Sequence, residues 1–324
     1  MYNSDNFFQE SVASNLLLAT IIYQTLYNAA KDILEKDYTL FYSFVRNLNS
    51  FDDLPFRHFF KGDNTKEILG VTFDVTEELT GNTFNKKVLS SVLDNKLSNK
   101  KDDFDRLDMF LNEFLPNHHI NFHLSFCISN HEHAPGGMFV DESDNNRFLY
   151  RINIYGKREE YESMIYTVSP SKSILNVQAL LGKISANKHM LVHEIIHFTQ
   201  SFADLFNYYL ARKRSYHNYD KGSNEFFSAY YSDSGELDAY TAEFITLIES
   251  YIEEESLHKL NKKDFQSVEA FQSFWYKVRQ KLYMANDKAI VKNQFNNLFS
   301  FMPSEAKKKM VKRIADYFID AGLL

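Results

Sequence analysis

The residues best suited to chemistry are two histidines and a glutamate within five consecutive positions. His193, Glu194 and His197 lie in the segment HMLVHEIIHFTQSF, whose apolar flanking residues are typical of a buried helix. Helical side chains four residues apart lie on the same face, so His193 and His197 can direct two imidazoles at one metal ion. Glu194 is rotated by about 100° around the helix axis, where its carboxylate can reach a water molecule near the metal. The spacing therefore predicts two ligands and a general base, as in the HExxH pattern.

A third ligand is expected downstream, because a catalytic zinc ion usually has three protein ligands and one open position for water. Glu236 is the candidate, in the segment YYSDSGELDAYTAEF. A carboxylate in the first turn of a second helix can face the first helix. The alternative is a capping box, in which Asp233 is the helix N-cap and Glu236 reaches back to it. We favour the ligand, since the two histidines need a third partner.

These two motifs, HEIIH and ELDAY, are similar to those of the zincin metallopeptidases of the gluzincin type, in which a glutamate on a following helix completes the metal site. They also resemble the HExxH peptidases of bacteria and phages that carry a downstream Glu-x-x-Ala motif. The resemblance covers about residues 120–250. It implies one Zn²⁺ ion with His193, His197 and Glu236 as ligands and Glu194 as the general base. It also implies a zincin-like core, in which a small mixed sheet packs on the active-site helix.

One further segment supports this resemblance, and two features depart from it. The stretch GGMFVDESDNNRFLYRINIY resembles the edge strand of zincins, whose backbone pairs with extended substrate, followed by a central strand. Residues 137–141 are the candidate edge strand. The gap between His197 and Glu236 is long and rich in tyrosine, and Tyr240 stands where an acid could support a metal-bound histidine.

Amide hydrolysis also needs a hydrogen-bond donor for the developing oxyanion besides the metal. Tyr230, Tyr231 and His217 precede Glu236 in the chain and are the candidates for this role, with packing or loop surface as the alternative for each.

Other histidines are less suited to ligate a metal. The cluster His131-Glu132-His133 precedes a Pro-Gly-Gly turn signal, which favours a polar rim of the active cleft over a second metal site. His189 lies four residues before His193, so we expect it in the wall of the cleft.

Hydrophobic periodicity predicts the elements that must position these residues. The chain changes from helices to strands and back to helices, which predicts a predominantly helical α+β protein. We expect an N-terminal helical region at 1–100, a catalytic core at 101–255 and a C-terminal helical region at 256–324. The predicted helices cover 10–36, two stretches in 83–115, 187–213, a stretch ending near 254 that has Glu236 in its first turn, and most of 263–324. The predicted strands cover 120–129 and 147–155. A Tyr-rich loop is predicted at 214–233.

Composition excludes several classes of function. The formal net charge is −7 and the lysine clusters are short and mixed with acids, which argues against nucleic acid as a partner. The single cysteine, Cys127, excludes an internal disulfide bond. The sequence has no signal peptide and no membrane-spanning run, so we expect a cytoplasmic protein, or one of the virion or host cytoplasm if a phage encodes it.

These observations together predict a zinc metallopeptidase that acts on protein or peptide substrates, with no membrane partner. Two alternatives remain open at this point. One is a zinc hydrolase of a non-peptide amide, and the other is a catalytically inactive zincin-fold protein with a binding or structural role. Glu194 argues against the second, because a purely structural site does not need a general base.

Overall fold

Helices dominate the chain, and its strands form one small mixed sheet and a hairpin. The computed structural model describes residues 4–37, 39–49, 65–74, 119–129, 136–142, 147–169, 172–206, 220, 223–284 and 299–324. The helices are α1 (Ser4–Lys36), α2 (Thr39–Asn49), α3 (Arg158–Glu162), α4 (Val177–Ala186), α5 (Lys188–Phe206), α6 (Asn224–Tyr230), α7 (Ser234–Glu254), α8 (Val268–Met284) and α9 (Ser304–Asp320), with a 3₁₀ turn at Lys262–Phe265. The strands are β1 (Thr65–Asp74), β2 (His119–Ser129), β3 (Gly136–Glu142), β4 (Arg147–Gly156), β5 (Ile165–Ser169) and β6 (Lys172–Leu175). The α+β class is therefore confirmed.

The larger sheet has the strand order β1-β2-β4-β3, so β3 is at an edge among the described strands. β1 is antiparallel to β2, β2 is parallel to β4, and β3 is antiparallel to β4. The strands predicted at 120–129 and 147–155 are confirmed as β2 and β4, and the candidate edge strand 137–141 lies within β3. β5 and β6 form the separate hairpin.

One face of this sheet is apolar and packs against α5. Phe122 of β2 and Tyr150 of β4 are buried, as alternation along a strand predicts for one face. Their ring centroids lie 4.7 Å and 5.2 Å from the ring of Phe198 on α5. The Tyr150 hydroxyl also donates a hydrogen bond of 2.8 Å to the backbone carbonyl of Glu194. The sheet therefore fixes both the position and the rotation of the motif helix.

The other face of the sheet carries a polar cluster centred on Glu67 of β1. Its carboxylate accepts hydrogen bonds from His123 Nε2, at 2.8 Å, and from the hydroxyl of Ser125. The other ring nitrogen of His123 is 2.7 Å from the hydroxyl of Thr72. A Cβ atom at Gly70 would lie 2.5 Å from His123 Cε1, so this position must be glycine for the imidazole to lie across β1.

The hydrogen bonds of this cluster keep the Glu67 carboxyl ionised. Burial raises the pKa of Glu67, but hydrogen bonds from His123 and Ser125, together with electrostatic interactions with His123 and Arg151, outweigh it and lower the pKa to about 2. Glu67 is therefore ionised over the whole physiological range, and it stabilises the pairing of β1 with β2.

The chain divides into two compact units. The first contains both sheets, α2, α3, α4, the part of α1 from Thr20 and the part of α5 up to Phe198. The second contains the first part of α1 and the chain from Thr199 onward, with α6 to α9. The predicted three-part division into 1–100, 101–255 and 256–324 stays a prediction.

Within the second unit, α7 packs against α8 and α9. The ring centroids of Phe244 on α7 and Trp275 on α8 are 4.3 Å apart. Arg313 of α9 pairs with Asp238 of α7 at 2.5 Å. Tyr317 of α9 donates a hydrogen bond of 2.7 Å to Glu249.

Several elements differ from the sequence prediction. The stretch 214–233 is predicted as a loop, but Asn224–Tyr230 forms α6, with Ser223 as its N-cap. Neither α2 nor β1 is predicted from the sequence. The helices expected in 83–115 and the end of the motif helix at 207–213 lie outside the described residues. Among the described helices, none combines the length and the apolar character needed to cross a membrane.

The Glu67 cluster makes a prediction about stability. A carboxyl with its pKa lowered from 4.5 to about 2 stabilises the fold above pH 4.5, and this contribution is lost as the pH falls from 4.5 towards 2. The pKa difference corresponds to about 3 kcal/mol at neutral pH. We expect Glu67→Gln to lower the free energy of unfolding by up to this amount and to flatten its pH dependence below pH 4.5, as measured by urea denaturation.

A matched control is Glu160→Gln. Glu160 pairs with Lys183 at 2.6 Å, but its side chain is 46% exposed, so its loss should cost less than about 1 kcal/mol. Equal effects of the two substitutions at pH 7 would contradict the prediction.

Candidate metal centre

The two histidines of the motif direct their ring nitrogens at each other on one face of α5. His193 Nε2 and His197 Nε2 are 3.1 Å apart, and the two rings are inclined at 79°. His193 is buried and His197 is half-buried. The four-residue spacing brings the imidazoles together, and the apolar residues between them hold this part of α5 in the core. Those flanking residues are all buried, as predicted, and include Leu191, Val192, Ile195, Ile196 and Phe198.

This separation fits two ligands of a single ion. Two nitrogens that each lie 2.0–2.1 Å from one tetrahedral zinc ion are about 3.3 Å apart. The two Nε2 atoms at 3.1 Å are close to that value. To bind a metal ion through Nε2, each imidazole would have to be in its neutral form with the proton on Nδ1.

Glu236 lies in the first turn of α7, whose start is set by Asp233. The Asp233 carboxylate accepts hydrogen bonds from the backbone N–H groups of Gly235, at 2.9 Å, and Glu236, at 3.4 Å. Asp233 is therefore the N-cap, as the capping-box alternative supposes. A capping box would also need the Glu236 carboxylate to accept from the Asp233 N–H. That N–H already donates to the carbonyl of Tyr230 at 3.1 Å, so the cap does not require the Glu236 side chain.

The structure brings three predicted ligands together. One ligand atom from each of His193, His197 and Glu236 lies within 4.8 Å of the others. Glu236 is only 2% exposed. Two imidazole nitrogens and one carboxylate oxygen could hold a metal ion, and this donor set suits a divalent transition metal.

Three tyrosines surround Glu236 in the second unit. Tyr230 ends α6, Tyr231 follows it, and Tyr240 lies one turn after Glu236 on α7. Their ring centroids are 5.2 to 6.4 Å apart. The hydroxyl of Tyr230 is hydrogen-bonded to the Glu236 carboxylate and to the hydroxyl of Tyr240.

All three phenols are neutral at physiological pH. Burial raises the pKa of Tyr230 well above its usual value, and the nearby Tyr240 and Glu236 raise it further. Burial, with the charges of Glu236 and Glu243, raises the pKa of Tyr231 to about 12. The pKa of Tyr240 is raised well above its usual value by burial and by Tyr231, Glu243 and Glu236. Each hydroxyl therefore keeps its proton and can act as a hydrogen-bond donor.

The remaining predicted residues have different outcomes. Tyr231 is buried close to Glu236, and its role as an oxyanion donor stays a prediction. Glu194 is half-buried on α5, next to His193. His189 is buried one turn before His193. His217 and the cluster His131-Glu132-His133 lie outside the described residues.

Sequence reasoning missed the roles of Tyr150 and Tyr240. Tyr150 contacts the carbonyl of Glu194 from a strand more than forty residues away, which no local pattern indicates. Tyr240 is noted in the sequence only as a position that lacks an acid. Its spacing of four residues from Glu236 was a usable signal, because it places both side chains on one face of α7.

No family model, curated protein or solved structure matches this chain. The assignment of function therefore depends on the arrangement of the residues themselves.

The three-residue cluster makes a prediction about metal content. We expect His193→Ala, His197→Ala and Glu236→Gln each to lower the affinity for Zn²⁺ by about 100-fold, because a zinc ion held by three protein ligands loses a large part of its binding energy with any one of them. Competition with a chromophoric chelator measures this affinity. His258→Ala and Glu225→Gln, at exposed positions, are the controls and should leave it unchanged. A loss of affinity in the controls that equals the loss in the three variants would contradict the site.

Proposed function

We propose that the protein is a zinc-dependent metallopeptidase of the zincin type. The observation that carries this proposal is the cluster of His193, His197 and Glu236, with one ligand atom of each within 4.8 Å of the others. Three protein ligands with mixed nitrogen and oxygen donors are typical of catalytic zinc sites, which keep a fourth position for water or substrate. Structural zinc sites, by contrast, are usually closed by four cysteine or histidine ligands.

Glu194 is the general base in this proposal. Zinc bound by the three residues would supply Lewis acidity, which lowers the pKa of water and polarises a scissile carbonyl. Glu194 would take the proton of the attacking water and deliver it to the leaving amine. The hydrogen bond from Tyr150 to the Glu194 carbonyl supports this role, because it holds the backbone of the base against the sheet.

The edge position of β3 supports a peptide substrate. An edge strand offers backbone N–H and C=O groups that can pair with an extended chain. β3 runs antiparallel to β4, and Phe139 of β3 is the register partner of Tyr150. The strand that contacts the backbone of Glu194 is therefore the direct neighbour of this edge. A hydrolase of a small non-peptide amide would not need such a strand.

The general base can be tested separately from the metal. We expect Glu194→Gln to bind Zn²⁺ with the affinity of the wild type and to hydrolyse a peptide library at least about 100-fold more slowly, because proton transfer typically contributes a factor of 10² to 10⁴. Hydrolysis is measured by mass spectrometry after loading with Zn²⁺.

Glu159→Gln, at an exposed position on α3, is the control and should cleave as the wild type does. Cleavage by Glu194→Gln at the rate of the wild type would disprove the mechanism. Zn²⁺ binding by the wild type without cleavage of any peptide would favour an inactive protein with a zincin fold.

A further inference from the structure

Tyr230 carries an inference that rests on the proposed function. We propose that Tyr230 is a positioning residue that orients the carboxylate of Glu236 towards the metal. Its hydroxyl is hydrogen-bonded to the Glu236 carboxylate. A phenol has one proton and can donate to one carboxylate oxygen, so the other oxygen can ligate the metal.

The first support is the turn that joins α6 to α7. The backbone N–H of Asp233 donates to the carbonyl of Tyr230 at 3.1 Å, and the N–H of Glu236 donates to the Asp233 carboxylate at 3.4 Å. Two further amides in the turn donate to α6, from Tyr231 to Phe227 at 2.9 Å and from Ser232 to the carbonyl of Ala229 at 3.3 Å. The backbones of Tyr230 and Glu236 are therefore held in one fixed relation.

The second support is the packing of the aromatic rings. The Tyr230 ring is stacked on Phe226 at 6.0 Å and meets Tyr231 edge-on at 5.2 Å. The Tyr240 ring lies 6.4 Å away, and its hydroxyl is hydrogen-bonded to that of Tyr230. A phenol fixed on three sides delivers its hydroxyl to one place, whereas an isolated tyrosine would sample several rotamers.

The consequence concerns the freedom of the ligand. A glutamate side chain has three rotatable torsions, and a ligand that samples several rotamers loses entropy when it binds a metal. A hydrogen bond to one oxygen selects one arrangement in advance. Hydrogen bonds of this kind to ligating groups typically change metal affinity 10- to 100-fold.

The test is the affinity for Zn²⁺ itself, measured by chelator competition on the full chain. We expect Tyr230→Phe, which keeps the ring, to weaken Zn²⁺ binding about 10-fold. Tyr317→Phe is the matched control, because Tyr317 also donates to a glutamate of α7, namely Glu249 at 2.7 Å. Glu249 is thirteen residues after Glu236, roughly 20 Å along the helix. Tyr317→Phe should therefore leave the affinity unchanged.

A double-mutant cycle separates positioning from a general structural effect. If Tyr230 acts through Glu236, Tyr230→Phe should cause no further loss of Zn²⁺ affinity in a Glu236→Ala protein, which has no side-chain acceptor for the Tyr230 hydroxyl. Additive losses, or an affinity of Tyr230→Phe within twofold of the wild type, would overturn the proposal. If Tyr230→Phe does not fold, Tyr240→Phe, which removes the hydroxyl bonded to Tyr230, should weaken binding about threefold, and no change would overturn it.

Failure of the proposed function has a different signature. If the wild type and His197→Ala bind Zn²⁺ equally weakly, there is no zinc site and the metallopeptidase proposal fails. If His197→Ala loses affinity and Tyr230→Phe does not, the metal site stands and only the role of Tyr230 is wrong.

Discussion

Burial of ionisable side chains is the constraint on which the rest of this structure depends. Glu236 is 2% exposed and His193 is 7% exposed. Removing a carboxylate from water costs several kcal/mol unless nearby charges or hydrogen bonds compensate for it. A bound cation would compensate the charge of the carboxylate and would be ligated by both imidazole nitrogens, which lie 3.1 Å apart. Burial of this cluster without a metal ion is therefore unfavourable, and the same burial would raise its affinity for a metal ion.

The two faces of the larger sheet stabilise the structure by different interactions. The apolar face contacts α5 through Phe122, Tyr150 and Phe198, so the histidines are carried by a helix that cannot rotate. The opposite face holds the hydrogen bond between His123 and the Glu67 carboxylate, which stabilises the pairing of β1 with β2. Packing therefore positions the site from one side, while electrostatics stabilise the supporting strands from the other.

Elements that depend on local sequence patterns could be predicted from the sequence, whereas elements that depend on non-local contacts could not. The motif helix, the Glu236 helix and the strands β2 and β4 follow from periodicity within a short window, and the structure confirms all four. β1 contains Gly70 and a bulge between Glu67 and Leu69, and its partner strand begins far along the chain, so neither its alternation nor its pairing is visible locally. The N-cap at Ser223 was a usable signal for α6, but the tyrosines that follow it are equally typical of a loop.

The turn between α6 and α7 has a consequence for how this chain can diverge during evolution. The amides of Tyr231, Ser232 and Asp233 donate to α6, and that of Leu237 donates to the Asp233 carbonyl at 2.8 Å. Insertion or deletion of one residue there would break several of these bonds and change the position of Glu236 relative to Tyr230. Descendants of this sequence should therefore change in residue type along the turn while its length is conserved.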